Sequence, residues 1–158
     1  MNLNFWNCPK DGNPDLLAVM PNKLEMVSLL GDGQGKFTAS GSVSNGLYPR
    51  EVVIADFTGD NNAGLIVSTF GRNQEGGLIS LLQGRGTGEF NGIKNYSAPF
   101  SPTKILNGDF DGDGKLDLLT LGGGCSGDPC ANKGFISLRA GKGNGDFKES
   151  SSVQSSMR

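Results

Sequence analysis

The sequence predicts an all-β fold of three repeated four-stranded antiparallel units. Three observations carry this: a glycine-rich turn motif that occurs three times, apolar runs of strand length in matched places around it, and 26 glycines in 158 residues. The glycine share is more than twice the ordinary ~7%, and glycine is a poor helix former, so long helices are excluded. The turn motif is G-x-G-x-G-x-F. Its copies run Gly31 to Phe37, Gly84 to Phe90 and Gly141 to Phe147, with 53 and 57 residues between successive starts.

In the first unit (about 1–45), Leu3-Asn-Phe-Trp6, Asp15-Leu-Leu-Ala-Val19, Val27-Ser28-Leu29 and Phe37 to Val43 read as four strands. The second (about 46–99) offers Val52-Val-Ile-Ala55, Gly64-Leu-Ile-Val-Ser68, Ile79-Ser80-Leu81 and Phe90 to Tyr96. The third (about 100–153) offers Lys104-Ile-Leu106, Asp117-Leu-Leu-Thr-Leu121, Ile136-Ser137-Leu138 and Phe147 to Val153, with 154–158 as a tail. Each run is short, bounded by Gly, Asp, Asn or Pro, and joined to the next by a turn, as in a hairpin. A serine precedes each glycine ladder and is read as one column: Ser28, Ser80, Ser137. Four short strands in roughly 50 residues, repeated, describe a β-propeller blade. A β-sandwich also uses many short strands, but it does not repeat its sequence every four of them.

Composition removes several functions. The chain has no histidine, which takes away the commonest general base and transition-metal ligand together. Fourteen basic against 16 acidic residues, without a basic cluster, give no footprint for nucleic acid. No apolar run is long enough to span a bilayer, and Met1 to Trp6 lacks the basic and apolar regions of a signal peptide.

Between the first two strands of the third unit stands Asp109-Phe-Asp111-Gly-Asp113-Gly-Lys-Leu-Asp117. Four carboxylates in nine residues repel one another unless a cation neutralises them. Ca²⁺ takes six to eight oxygens from alternating side chains of a tight loop, with glycine at the sixth place, where Gly114 stands. An EF-hand would need a glutamate at the twelfth place, which is Thr120, and flanking helices, where the flanks here are strand-like. A solvated acidic turn is the plain alternative. The corresponding loops are incomplete. Asp56 and Asp60 remain in the second, which has Thr58 at the third place and Gly64 at the ninth. Asp11 and Asp15 remain in the first, which has Asn7 and Pro9 at the first and third places. One good site is expected, with weak or lost binding in the other two loops, because ligand charge tunes affinity.

The Asp109 to Asp117 loop, the apolar strand, the serine-bearing strand and the G-x-G-x-G-x-F turn together resemble the FG-GAP / VCBS repeat family, the repeats of integrin alpha-subunit propellers and of many bacterial surface proteins. The resemblance covers nearly the whole chain. It implies propeller blades with Ca²⁺ in the first hairpin loop, Asp109, Asp111, Asp113 and Asp117 as side-chain ligands, and Lys115 as a ligand through its backbone carbonyl. It also implies an extracellular or cell-surface setting and a non-enzymatic role in adhesion or binding of a protein or carbohydrate ligand. The alternatives are a scaffold within a larger secreted enzyme, such as a polysaccharide-degrading one, and a carbohydrate-binding module.

Cys125 and Cys130 flank a Gly/Pro turn that could bring their sulfurs to bridging distance, which would fit an oxidising compartment; two free thiols are the alternative. Cys8 has no evident partner. Gly35-Lys36 is not a phosphate loop, since Phe37 follows where Ser or Thr is needed. Asn95-Tyr-Ser97 is a chance-level glycosylation triplet, and Asp111 with Asp113 reads better as metal ligation than as a glycosidase dyad. Phe5, Trp6, Phe57, Phe70, Phe100, Phe110 and Phe135 are expected to pack between blades. Propellers close with about four to eight blades. Three therefore call for missing blades in the same longer chain or for a second copy, and the Ser-rich stretch Ser150 to Ser156 reads as a linker that favours the first.

Overall fold

A computed structural model describes residues 2–6, 11–44, 48–69, 77–98, 101–123, 133–148 and 151–156. Twelve strands form three separate four-stranded antiparallel sheets, each a meander in chain order. Blade 1 holds β1 (Asn2–Trp6), β2 (Asp15–Met20), β3 (Glu25–Gly31) and β4 (Phe37–Val43), with a 3₁₀ turn at Pro21–Lys23. Blade 2 holds β5 (Pro49–Ala55), β6 (Gly64–Thr69), β7 (Leu78–Gly84) and β8 (Phe90–Ser97). Blade 3 holds β9 (Ser101–Gly108), β10 (Asp117–Gly123), β11 (Lys133–Arg139) and β12 (Ser151–Ser156). The all-β, propeller-like expectation holds, and the array is open. Among the described residues no helix is long and apolar enough to cross a membrane.

The blades stack side by side, with their first strands nearest, β1 against β5 and β5 against β9. Two apolar clusters fill the gaps. Leu17, Val19 and Met26 of blade 1 meet Val52, Leu65, Val67 and Leu82 of blade 2. On the other side of blade 2, Phe57, Ile66, Ile79 and Leu81 meet Ile105, Leu118 and Phe147 of blade 3. Strand β6 is therefore buried at every residue, because it is covered on both faces, while the apolar side chains of β2 and β10 are fully buried only on the face toward blade 2. A continuous apolar run such as Leu65-Ile66-Val67 is what a strand with two covered faces requires.

The first ladder glycine explains itself. A Cβ at Gly31, Gly84 or Gly141 would lie 2.2, 1.9 or 2.1 Å from the carbonyl oxygen of Pro14, Ala63 or Leu116. Only glycine lets the third strand pass so close to the loop opposite. The third ladder glycine packs against the preceding blade: Gly145 N donates to Phe57 O at 2.9 Å, Tyr96 Oη donates to Gly145 O at 3.0 Å, and Ser40 Oγ donates to Thr87 O at 2.8 Å.

Three expectations need correction. The serine column is out of step in blade 1: Ser80 and Ser137 pair across from Val67 and Thr120, but Ser28 pairs across from Leu17, so that Val27 takes the equivalent place. Ser28 lies three residues before its ladder glycine, whereas Ser80 and Ser137 lie four before theirs. The turn sets the register, and a one-residue slip puts a side chain on the other face. Secondly, the last strand is not Phe147 to Val153. Phe147 makes an isolated bridge to Gly141, and the strand follows as Ser151–Ser156, so most of the expected linker and the start of the 154–158 tail pair with β11. A backbone ladder needs no apolar side chains at a sheet edge. Thirdly, Phe110 is exposed, its ring lying over Gly108, while Trp6, Phe57 and Phe135 are buried as expected. Phe70 and Phe100, like Cys8, Cys125 and Cys130, fall outside the described residues, and so does any bridge between the last two.

Candidate metal centre

The β9–β10 hairpin loop brings Asp109, Asp111 and Asp117 together, one carboxylate oxygen from each lying within 4.8 Å of the others. Asp117 is buried, and Asp109 and Asp111 are exposed. Ca²⁺–O distances of about 2.3–2.6 Å put oxygens on opposite sides of one ion roughly 4.6–5.2 Å apart. The spacing and the all-oxygen donor set thus fit a single hard cation.

Asp113 stands outside this group. Its Oδ1 accepts from Lys115 N at 3.0 Å and its Oδ2 from Lys115 Nζ at 2.8 Å. The Lys115 ammonium holds the Asp113 carboxyl below its usual value and is itself raised by the same contact. The stem of Lys115 also lies against Gly143, where a Cβ would come 2.9 Å from Lys115 Cδ. The sequence put four carboxylates on one ion; the structure gathers three and sets the fourth against a lysine.

Each loop carboxylate also holds the backbone, which the reading of the sequence as ligands passed over. Asp109 Oδ1 accepts from Gly112 N at 2.7 Å and Asp113 N at 3.1 Å, and Oδ2 from Gly114 N at 2.9 Å. Asp56 does the same in blade 2, accepting from Thr58 N, Gly59 N and Asn61 N at 3.1, 2.8 and 2.7 Å. Asn61 there takes the left-handed conformation (φ 65°) that Gly114 takes in blade 3 (φ 79°). The fifth-place carboxylates Asp11, Asp60 and Asp113 each accept from the amide two residues on, as Asx turns. In blade 2 the Asn62 amide, through this bond, lowers Asp60 below its usual value. Asp60 Oδ2 also accepts from Gln83 Nε2 at 3.2 Å.

The ninth-place residue ties the loop to the glycine ladder. Buried Asp117 accepts from Phe110 N at 2.9 Å through Oδ2 and from Gly141 N at 2.8 Å through Oδ1. Buried Asp15 accepts from Gly31 N at 2.9 Å in blade 1. Blade 2 has Gly64 here and lacks the link. The signal for this role was present in the sequence: an aspartate persists in the first loop after two other ligand places have been lost. Residues 7–10 of that loop lie outside the described residues, and among the described residues no other group of three metal-binding side chains forms.

No curated protein and no solved structure matches the chain. A family model described as an FG-GAP-like repeat matches residues 10–67, from the first loop through β5 and most of β6. The match falls on the two blades with the most eroded loops, and the third repeats the same columns with all four aspartates present. Residues 10–67 are thus similar to an FG-GAP-like repeat, and the motif columns of that segment recur in blade 3.

Proposed function

We propose that this chain is a non-enzymatic, Ca²⁺-stabilised propeller-type module that serves adhesion or ligand binding outside the cell. The observation that carries the reading is the convergence of Asp109, Asp111 and Asp117 in a loop of a chain similar, over residues 10–67, to an FG-GAP-like repeat. Ca²⁺ bound there would relieve the repulsion among the three carboxylates and cross-link the loop to the start of β10. Asp109 and Asp117 hold the loop backbone and the ladder turn, and Asp111 completes the cluster. The Lys115 carbonyl supplies a further oxygen, and Asp113 joins only by giving up its lysine. Binding to the folded loop alone stabilises it by mass action, about 2.7 kcal/mol at a hundredfold excess over Kd. A Cys125–Cys130 bridge would suit the same oxidising, calcium-rich surroundings.

Thermal unfolding in Ca²⁺ and in chelator tests the reading. The parent melts higher in Ca²⁺, Asp111→Ala loses that difference with only a small drop in chelator-state Tm, since the bond it gives up from Asp113 N is exposed, and Asp113→Ala changes the difference less than Asp111→Ala does. A parent whose Tm is the same in both buffers overturns the proposal.

A further inference from the structure

Blade 3 has an open face whose counterparts in blade 2 are covered. Aligned by the hairpin registers, Leu106, Leu119, Leu121, Ile136, Leu138 and Val153 stand where Val53, Ile66, Ser68, Ile79, Leu81 and Tyr96 stand in blade 2. The blade 2 set lies beneath blade 3, and Ile79 is 1% exposed. In blade 3 the equivalent Ile136 is 48% exposed and Val153 71%. They lie in cross-strand rows, Leu106–Leu119–Leu138 and Leu121–Ile136–Val153, and so form a continuous apolar patch. Patches of this kind mark interaction surfaces.

The complementary surface is open at the other end of the same chain. The ladder turns of blades 2 and 3 each pack on the blade before. A Cβ at Gly88 would touch Ser40 and Leu30 of blade 1, and one at Gly145 would touch Leu81 and Thr58 of blade 2. At the equivalent Gly35 nothing lies within 4 Å, and Phe37 is 39% exposed where the matching Phe147 is buried. Among the described residues the chain therefore repeats one head-to-tail interface twice and presents both of its halves a third time, unfilled.

We propose that blade 3 of one copy docks on blade 1 of a second copy through these two surfaces, so that two copies close a six-bladed ring. A heterologous contact repeated by a fixed rotation closes when the rotation permits, and six blades lies within the range that propellers adopt. This goes beyond the calcium reading and does not depend on it.

Sedimentation velocity of the full chain at micromolar to sub-millimolar concentration provides the test. The parent sediments as a two-chain species; Ile136→Glu and Phe37→Glu, each folded by circular dichroism, sediment at half that mass. An equimolar mixture of the two variants regains two-chain species, because one intact interface survives between them. Val153→Glu, at the more exposed position, replaces Ile136→Glu if that variant does not fold. A monomeric parent, open polymers, a mixture that stays monomeric, or a Phe37→Glu variant that still dimerises would each overturn the proposal; the last would mean that blade 3 pairs with its own copy.

Discussion

Gly141 and Asp117 show how single residues hold a blade together. An alanine at 141 would put its Cβ 2.1 Å from Leu116 O, a backbone atom that cannot swing aside. Gly141→Ala should lose at least the ~1–3 kcal/mol typical of overpacking. At Gly41 the nearest atom would lie at 3.6 Å, so Gly41→Ala should change stability by about 1 kcal/mol or less. Urea midpoints for the two variants check both statements. Asp15 permits a separate measurement of the ninth-place hydrogen bond, since its loop has Pro9 in place of a ligand. Removing this buried acceptor from Gly31 N should cost about 1–3 kcal/mol. The loss in Asp15→Ala should be equal in Ca²⁺ and in chelator; a loss confined to Ca²⁺ would show that Asp15 acts as a ligand instead. The sequence marked Asp109 and Asp117 as candidate metal ligands, and the structure brings them together with Asp111. Their second task was not legible in the sequence, because it depends on amides that only the folded hairpin brings near.

At the scale of elements, the turns do more than reverse the chain. The ladder turn of blade 3 reaches β8 of blade 2, where Lys94 pairs with Asp146 and Tyr96 with Gly145. Lys94 holds the Asp146 carboxyl below its ordinary value of 3.8, and Asp146 raises Lys94 above 10.5. A depressed carboxyl contributes stability that is present above its unfolded value and lost as pH falls through the folded one. The advantage of the parent over Asp146→Asn should thus be constant near neutrality and shrink as pH drops below about 4. It should shrink again above about pH 10.5, as the raised lysine loses its proton. Denaturation midpoints of both proteins across pH provide the check, and high salt should reduce the difference throughout, because the pair is exposed. Strand identity was legible from the short apolar runs. The register of β3 was not, because three serines at similar places in the sequence suggest equivalence, and only the spacing to the ladder glycine reveals the slip.

For the whole molecule, blade 2 is the keystone, since both apolar clusters pass through it. Leu82 is fully buried in the cluster shared with blade 1. Leu82→Ala should cost about 2–5 kcal/mol. The blades should unfold together, with the midpoint of Trp6 fluorescence matching that of far-UV circular dichroism. Trp6 is the single tryptophan and stacks on Phe90 of blade 2 at 5.0 Å, so its emission follows the interface between the first two blades. Two separate transitions would show instead that each blade is stable alone, as expected only if the clusters contributed little.

The sequence alone determined the repeat, eleven of the twelve strands, the aspartate loop and its erosion in two copies. All of these rest on local chemistry: glycine where the backbone comes close, apolar runs where a strand has covered faces, aspartate where a tight turn needs acceptors. Tertiary structure decided which carboxylates converge, that Lys115 draws Asp113 aside, that a serine-rich stretch closes a sheet edge, and which blade faces stay open. The first two depend on how side chains turn within one folded loop, and the last two on contacts between residues far apart in the chain; motif spacing encodes neither.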